Sequence, residues 1–155
     1  MRVRLITVGS KMPDWVEEGY QEYSRRLVGN IRLELVETAL GKRSKGSDIS
    51  RLREKEATQM LTAVGSGDLV VSLEVLGKPW STEKLAENMN SWLHSGRNVS
   101  LLVGGPEGLH ASCIARSDLR WSLSPLTLPH PLVRVVVAEQ VYRGWSILHN
   151  HPYHK

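Results

Sequence analysis

Leu123–Lys155 reads LSPLTLPHPLVRVVVAEQVYRGWSILHNHPYHK: a proline-punctuated loop, then an almost wholly apolar helix, then a polar tail. Terminal segments ordinarily fray and stay polar. A terminus carrying Val133, Val135, Val136, Val137, Val141 and Trp145 has to be buried against other elements. The loop holds His130 between Pro129 and Pro131, and the tail gathers His149, His151, Pro152, Tyr153 and His154.

Working back from that helix, Val99-Ser100-Leu101-Leu102-Val103 runs straight into Gly104-Gly105-Pro106-Glu107-Gly108. A short β-branched run stopped by glycines predicts a buried strand opening into a loop that a ligand can approach closely. The spacing is not Gly-x-Gly-x-x-Gly, and no Gly-x-x-x-x-Gly-Lys-Ser/Thr phosphate loop occurs. Further strands are predicted over Val3–Val8, Ile31–Glu37, Asp68–Val75 and Arg120–Leu123. Between them lie a helix from about Pro13, with Trp15, Tyr20, Tyr23 and Leu27 on its apolar side, one capped by Asp48, one capped by Ser81, and a short one after Leu109. Strands alternating with helices define an α/β domain with a mainly parallel sheet and helices on both faces. Ligands in such sheets bind outside the carboxyl ends of the strands, where Leu73, Gly104 and the Leu123–Leu128 loop fall.

The 155 residues fit one domain, 1–155, without internal repeats. Twenty Lys and Arg against sixteen Asp and Glu give a net charge of +4, compatible with a polyanionic partner. Cys113 is the only cysteine, which rules out an intrachain disulfide and a zinc-finger type of site. Together with the lack of a signal peptide or membrane-length apolar run, it predicts a soluble protein of the cytoplasm.

Several blocks in order resemble the SPOUT class of S-adenosylmethionine-dependent RNA methyltransferases, and within it the large-subunit ribosomal RNA methyltransferase H family. They are Val8-Gly9-Ser10-Lys11-Met12-Pro13-Asp14-Trp15, Gly41-Lys42-Arg43, Gly77-Lys78-Pro79-Trp80, Leu102 to Gly108, Leu126 to Arg134, and Asn150-His151-Pro152-Tyr153-His154. The resemblance implies methylation of N3 of a pseudouridine in 23S rRNA of the assembled ribosome, a SPOUT-type fold whose C-terminal helix forms a trefoil knot, and a homodimer. It also places the S-adenosylmethionine pocket at Leu73, Gly104, Leu123, Ser124, Pro125, Leu126, Thr127 and Leu128.

Those residues suit the chemistry. The donor already carries an activated methyl group, so the protein must hold donor and acceptor in line and manage one proton. Glycine main chain and a proline-stiffened loop suit the adenosine moiety, with Leu73 as an apolar wall. The acceptor is an imide nitrogen that becomes anionic as its proton leaves, and the Arg143 guanidinium is the candidate to stabilise that charge. Its alternative is a helix salt bridge with Glu139, four residues earlier. His130, Tyr153 and His154 are candidate proton acceptors or base-orienting groups, and Tyr153 can equally stack on an exposed base. His130 can instead simply close a turn.

Lys42, Arg43, Lys45, Arg51, Arg53 and Lys55 are candidate phosphate contacts. His149, His151 and His154 lack the accompanying carboxylate or cysteine of a metal site, so no metal is expected. Nothing matches the Gly-x-Ser-x-Gly elbow of a hydrolase. The competing reading from another class is a ribosome-binding protein without enzymatic activity.

Overall fold

The computed structural model describes residues 1–155. In chain order the elements are β1 (Arg2–Val8), α1 (Asp14–Ser24), β2 (Arg32–Thr38), α2 (Ile49–Ala63), β3 (Leu69–Pro79), α3 (Thr82–Ser95), β4 (Val99–Val103), α4 (Ala111–Arg116), β5 (Leu119–Ser122) and α5 (His130–Leu148), followed by a 3-10 turn over Pro152–His154. The five strands form one sheet in the order β2-β1-β4-β3-β5, and every pairing is parallel.

Alternation along each strand divides the core in two. Val3, Leu5, Val71, Leu73, Val99, Leu101 and Val103 pack with Tyr20 of α1, Leu85 and Met89 of α3, and Val133, Val137 and Val141 of α5. Ile6, Val8, Val70 and Leu102 point the other way, onto Ala57 and Met60 of α2 and Cys113 of α4. The sheet is thus buried on both faces, which is why its strands read as nearly continuous apolar runs. Topology gives the same division. The crossovers β1→β2 and β3→β4 step one way across the sheet, and β2→β3 and β4→β5 step the other. Crossovers of one hand then set α1 and α3 on one face and α2 and α4 on the opposite one. The apolar α5 lies against both α1 and α3. At Gly144, a Cβ would sit 2.6 Å from the Met89 sulfur, so glycine sets the close approach of α5 to α3.

Three features depart from the sequence expectations. The sheet is wholly rather than mainly parallel. Trp15 is 55% exposed and the inward residue of the first turn of α1 is Val16, because the helix starts at Asp14 and turns its Val16–Tyr20 side to the sheet. Strand β3 also runs four residues past Val75: Trp121 faces both Leu73 and Lys78, so residues 74–77 form an outward excursion before pairing resumes. Gly77 permits that return, since a Cβ there would stand 2.9 Å from the main chain of Arg120 and Trp121.

Candidate functional site

The carboxyl ends of β3, β4 and β5 open onto a cavity of about 470 Å³. Its walls come from Leu73, Glu74 and Val75, from Val103–Pro106, Gly108 and Leu109 after β4, and from Leu123, Ser124 and Leu126–Leu128 after β5. Pro129, His130 and Val133 close it at the start of α5. The connection after β4 descends to the α2/α4 face and those after β3 and β5 to the opposite face. The loops therefore part here, as they do at the switch points where open α/β sheets bind ligands.

Of the residues expected to form a cofactor pocket, Leu73, Gly104, Leu123, Ser124, Leu126, Thr127 and Leu128 line this cavity together. Pro125 belongs to the same loop but is exposed outside the lining. The loop is braced by its own hydroxyls: Ser122 Oγ donates to the Ser124 carbonyl at 3.1 Å, and Ser124 Oγ accepts from the Leu126 N–H at 3.0 Å. Gly104 serves the site differently from the way its spacing suggests. A Cβ on it would meet the Gly108 carbonyl carbon at 2.4 Å and the Leu109 nitrogen at 2.6 Å, so it lets the loop fold back on itself. Gly108 carries the turn, with φ of +80°.

His130 joins the cavity wall, and its Nδ1 is buried with no hydrogen-bond partner from the protein. Burial lowers its pKa, and the nearby Arg134 guanidinium lowers it further, so the ring is held neutral. Arg134 itself is 1% exposed on the apolar helix. It donates to Glu37 Oε2 at the end of β2 and to the Gly9 carbonyl after β1, each at 2.8 Å, and so ties α5 to two strand ends. Local sequence carries no sign of this role.

The second group of expected residues assembles elsewhere. Arg143 Nε donates to Glu139 Oε1 at 2.8 Å, and its guanidinium lies 4.9 Å from the Tyr153 ring centroid. The Tyr153 hydroxyl donates to the same Glu139 oxygen at 3.0 Å. Burial and this carboxylate push the phenol up to about 12, so it remains protonated. His154 meets Ser146 Oγ at 2.8 Å, and Tyr153 packs on Tyr142 with centroids 4.6 Å apart. Arg143 does make the salt bridge with Glu139, and the tail is a fixed turn rather than a frayed end. Glu139, expected only as a helix partner of Arg143, gathers both Arg143 and Tyr153. Its i, i+4 spacing to Arg143 was visible, whereas the bond to Tyr153 requires the chain to fold back. Arg143 follows His130 by 13 residues, or ~20 Å along a helix, so one chain does not bring this cluster to the cavity.

The tail histidines are dispersed: His149 stacks on Trp145, His151 Nδ1 accepts from the Tyr153 N–H, and His154 pairs with Ser146. No three His, Cys, Asp or Glu side chains come together as a metal site, and no helix is long and apolar enough to cross a membrane. Among the basic residues, Lys42, Lys45, Arg51 and Lys55 are exposed. Arg43 and Arg53 instead turn inward onto Glu56, Glu107 and the Leu109 carbonyl.

A parallel sheet with a glycine-lined cavity over its carboxyl edge, closed by an apolar C-terminal helix, is accompanied by a direct family match. The chain belongs to the SPOUT methyltransferase family, described as "Predicted SPOUT methyltransferase", which matches residues 1–154. Among its relatives is the ribosomal RNA large subunit methyltransferase H of Alkalilimnicola ehrlichii, 57% identical over 155 residues, covering 100% of this chain and 99% of the relative. The protein of the same name from Pseudomonas paraeruginosa is 58% identical, with both chains covered fully. A probable methyltransferase from Bordetella pertussis shares the fold at a TM-score of 0.55 and 15% identity, covering 92% of this chain and 95% of that one. A putative methylase family protein from Neisseria gonorrhoeae does so at a TM-score of 0.51 and 11% identity, covering 90% of this chain and 81% of its own.

Proposed function

We infer that this protein is an S-adenosylmethionine-dependent methyltransferase acting on N3 of a pseudouridine in 23S rRNA of the assembled ribosome. The observation that carries the reading is the cavity at the ends of β3, β4 and β5, in a chain whose full-length relatives bear the rRNA methyltransferase name. The residues fit the cofactor. Leu73, Val103, Leu109, Leu128 and Val133 offer apolar walls, the tight turn that Gly104 allows brings main chain to the cavity edge, and the orphaned Nδ1 of neutral His130 awaits a polar partner. When bound, S-adenosylmethionine supplies a methyl group activated on a sulfonium.

The chain's own contribution is to orient and to manage charge. The Arg143 guanidinium, fixed by Glu139 and lying over Tyr153, is the group that stabilises the acceptor ring as it becomes anionic. His130, neutral and partly exposed in the cavity, and His154 are the candidates to take the proton, and Tyr153 orients the base or stacks on it. Because ~20 Å of helix separates Arg143 from His130, the proposed homodimer supplies the missing link, with the Arg143–Tyr153 cluster of one protomer completing the cavity of its mate. We take the C-terminal chain to be knotted in the SPOUT manner, and the enzyme to work in the cytoplasm, where its ribosomal substrate is.

Calorimetric titration with S-adenosylmethionine tests the reading and separates it from a ribosome-binding protein without activity. Saturable binding at one site per chain is expected, and no binding to the folded protein would overturn it. Heterodimers pairing a His130→Ala protomer with an Arg143→Ala protomer then test the shared site. One intact site per mixed dimer should restore about half of the parental rate.

A further inference from the structure

Arg43 lies in the basic loop between β2 and α2, flanked by Lys42 and Lys45, where a contact to RNA phosphate would be expected. Lys42 and Lys45 are exposed, whereas the Arg43 side chain is only 20% exposed. Its guanidinium is shared between two carboxylates. Nη1 and Nη2 donate to Glu56 at 2.5 and 2.9 Å, Nε and Nη2 donate to Glu107 at 3.2 and 2.7 Å, and Nη1 also reaches the Gly41 carbonyl at 2.8 Å. Glu56 is buried on α2 and also accepts from the Gly41 N–H at 2.9 Å.

Glu107 sits in the turn after β4, closed by the Gly108 N–H on the Gly105 carbonyl at 3.0 Å. Every residue from Val103 to Leu109 lines the cavity except Glu107. Its side chain therefore faces the anchor rather than the ligand. One residue beyond the turn, the Leu109 carbonyl accepts from Arg53 Nη2 at 3.0 Å.

We propose that Arg43 is a positioning residue for the cofactor: it clamps the Gly104–Gly108 turn to α2 through Glu107 and Glu56, and so holds that wall of the cavity in its binding shape. This rests on the cavity being the S-adenosylmethionine site. Planar, forked donors matter here, because one guanidinium makes paired bonds to two carboxylates and a lysine ammonium does not. The exposed Lys42 and Lys45 on the same loop leave Arg43 free of the phosphate-binding task.

Arg43→Lys and Glu107→Gln test the clamp, the first keeping the charge and the second leaving the Arg43–Glu56 pair in place. Each should weaken S-adenosylmethionine binding by roughly tenfold while kcat at saturating cofactor stays within about twofold, and the double variant should be little worse than either alone. Hydrogen exchange of the Gly108 amide, which is bonded to the Gly105 carbonyl, should quicken in both, with no ligand present. In a third variant, Arg43→Gln, which removes the charge, the salt dependence of ribosome binding should match the parent. Parental cofactor affinity and parental exchange in both variants would overturn the proposal. So would a salt slope shallower by about one in Arg43→Gln with cofactor affinity intact, the mark of a lost phosphate contact. If the parent itself bound no S-adenosylmethionine, the functional reading would fall, and the amide exchange would still decide whether Arg43 holds the turn.

Discussion

Gly104→Ala is the sharpest single perturbation of the site, because its effect is set by main chain rather than by any movable side chain. The added Cβ would lie 2.4 Å from the Gly108 carbonyl carbon, 2.6 Å from its oxygen and 2.6 Å from the Leu109 nitrogen. Ordinary carbon contacts are roughly 3.5–4.0 Å, so the turn must open by about 1 Å. Overpacking of this kind costs about 1–3 kcal/mol. At about 2–4 °C per kcal/mol for a domain of this size, the melting temperature should fall by roughly 2–12 °C. The displaced atoms belong to residues that line the cavity, so S-adenosylmethionine affinity should fall by at least ~10-fold, about 1.4 kcal/mol. Gly105→Ala is the matched control, with its nearest contacts at 3.5–3.7 Å to side-chain carbons of Val8 and Leu40. Differential scanning fluorimetry and calorimetric titration read both quantities. A Gly104→Ala protein that melts and binds like the parent, or a Gly105→Ala protein more damaged than it, would contradict this packing of the turn.

Arg143→Ala should lower single-turnover methyl transfer by ~10²-fold and leave S-adenosylmethionine affinity unchanged, as expected of a group acting only on developing charge. A drop in melting temperature with the rate per folded molecule intact would reduce Arg143 to a partner for Glu139. Deletion of residues 150–155 removes the tail's bonds to Ser146 and the packing of Tyr153 on Tyr142, so we expect ~1 kcal/mol of lost stability, retained cofactor binding and no methylation of ribosomes. Methylation by the truncated protein at the parental rate would exclude the tail from the site. His130 is held below its usual pKa of 6.5, so the native state resists a proton that the unfolded chain accepts. Its contribution to stability is full above pH ~6.5 and is lost as the pH falls toward the lowered native value. The melting-temperature advantage of the parent over His130→Asn should shrink on acidification, and an advantage that stays constant or grows would contradict the burial of that ring.

The sequence made the strands legible because both of their faces are buried, so local composition was enough to mark Val99–Val103 and Val3–Val8. The loop after β4 was equally readable, since Gly104-Gly105-Pro106 stops the apolar run. Features set by distant partners were not. The excursion at residues 74–77 depends on Gly77 lying against β5, more than 40 residues later. Trp15 reads as core by composition, yet a phase shift of one residue turns Val16 inward instead. Arg43 and Arg53 look like surface charge until the fold brings Glu107 and the Leu109 carbonyl to them. Arg134 is the plainest case: a charge on an apolar helix, buried because Glu37 and the Gly9 carbonyl, 97 and 125 residues away in the chain, converge on it.

If Arg143 is the catalytic group proposed above, its helix salt bridge and its catalytic role belong to one device rather than to rival readings. A free arginine would spread its guanidinium over many rotamers, and ordering it on the substrate would cost entropy at each turnover. Glu139 fixes one edge of the guanidinium and also receives the Tyr153 hydroxyl, so the carboxylate sets the relative position of the cation and the aromatic ring. Glu139→Gln separates the two contributions. It keeps an acceptor at nearly the same place but removes the charge that holds Arg143, so a group needed only for packing would tolerate it. A group that positions the cation would show a loss in kcat, with cofactor affinity untouched.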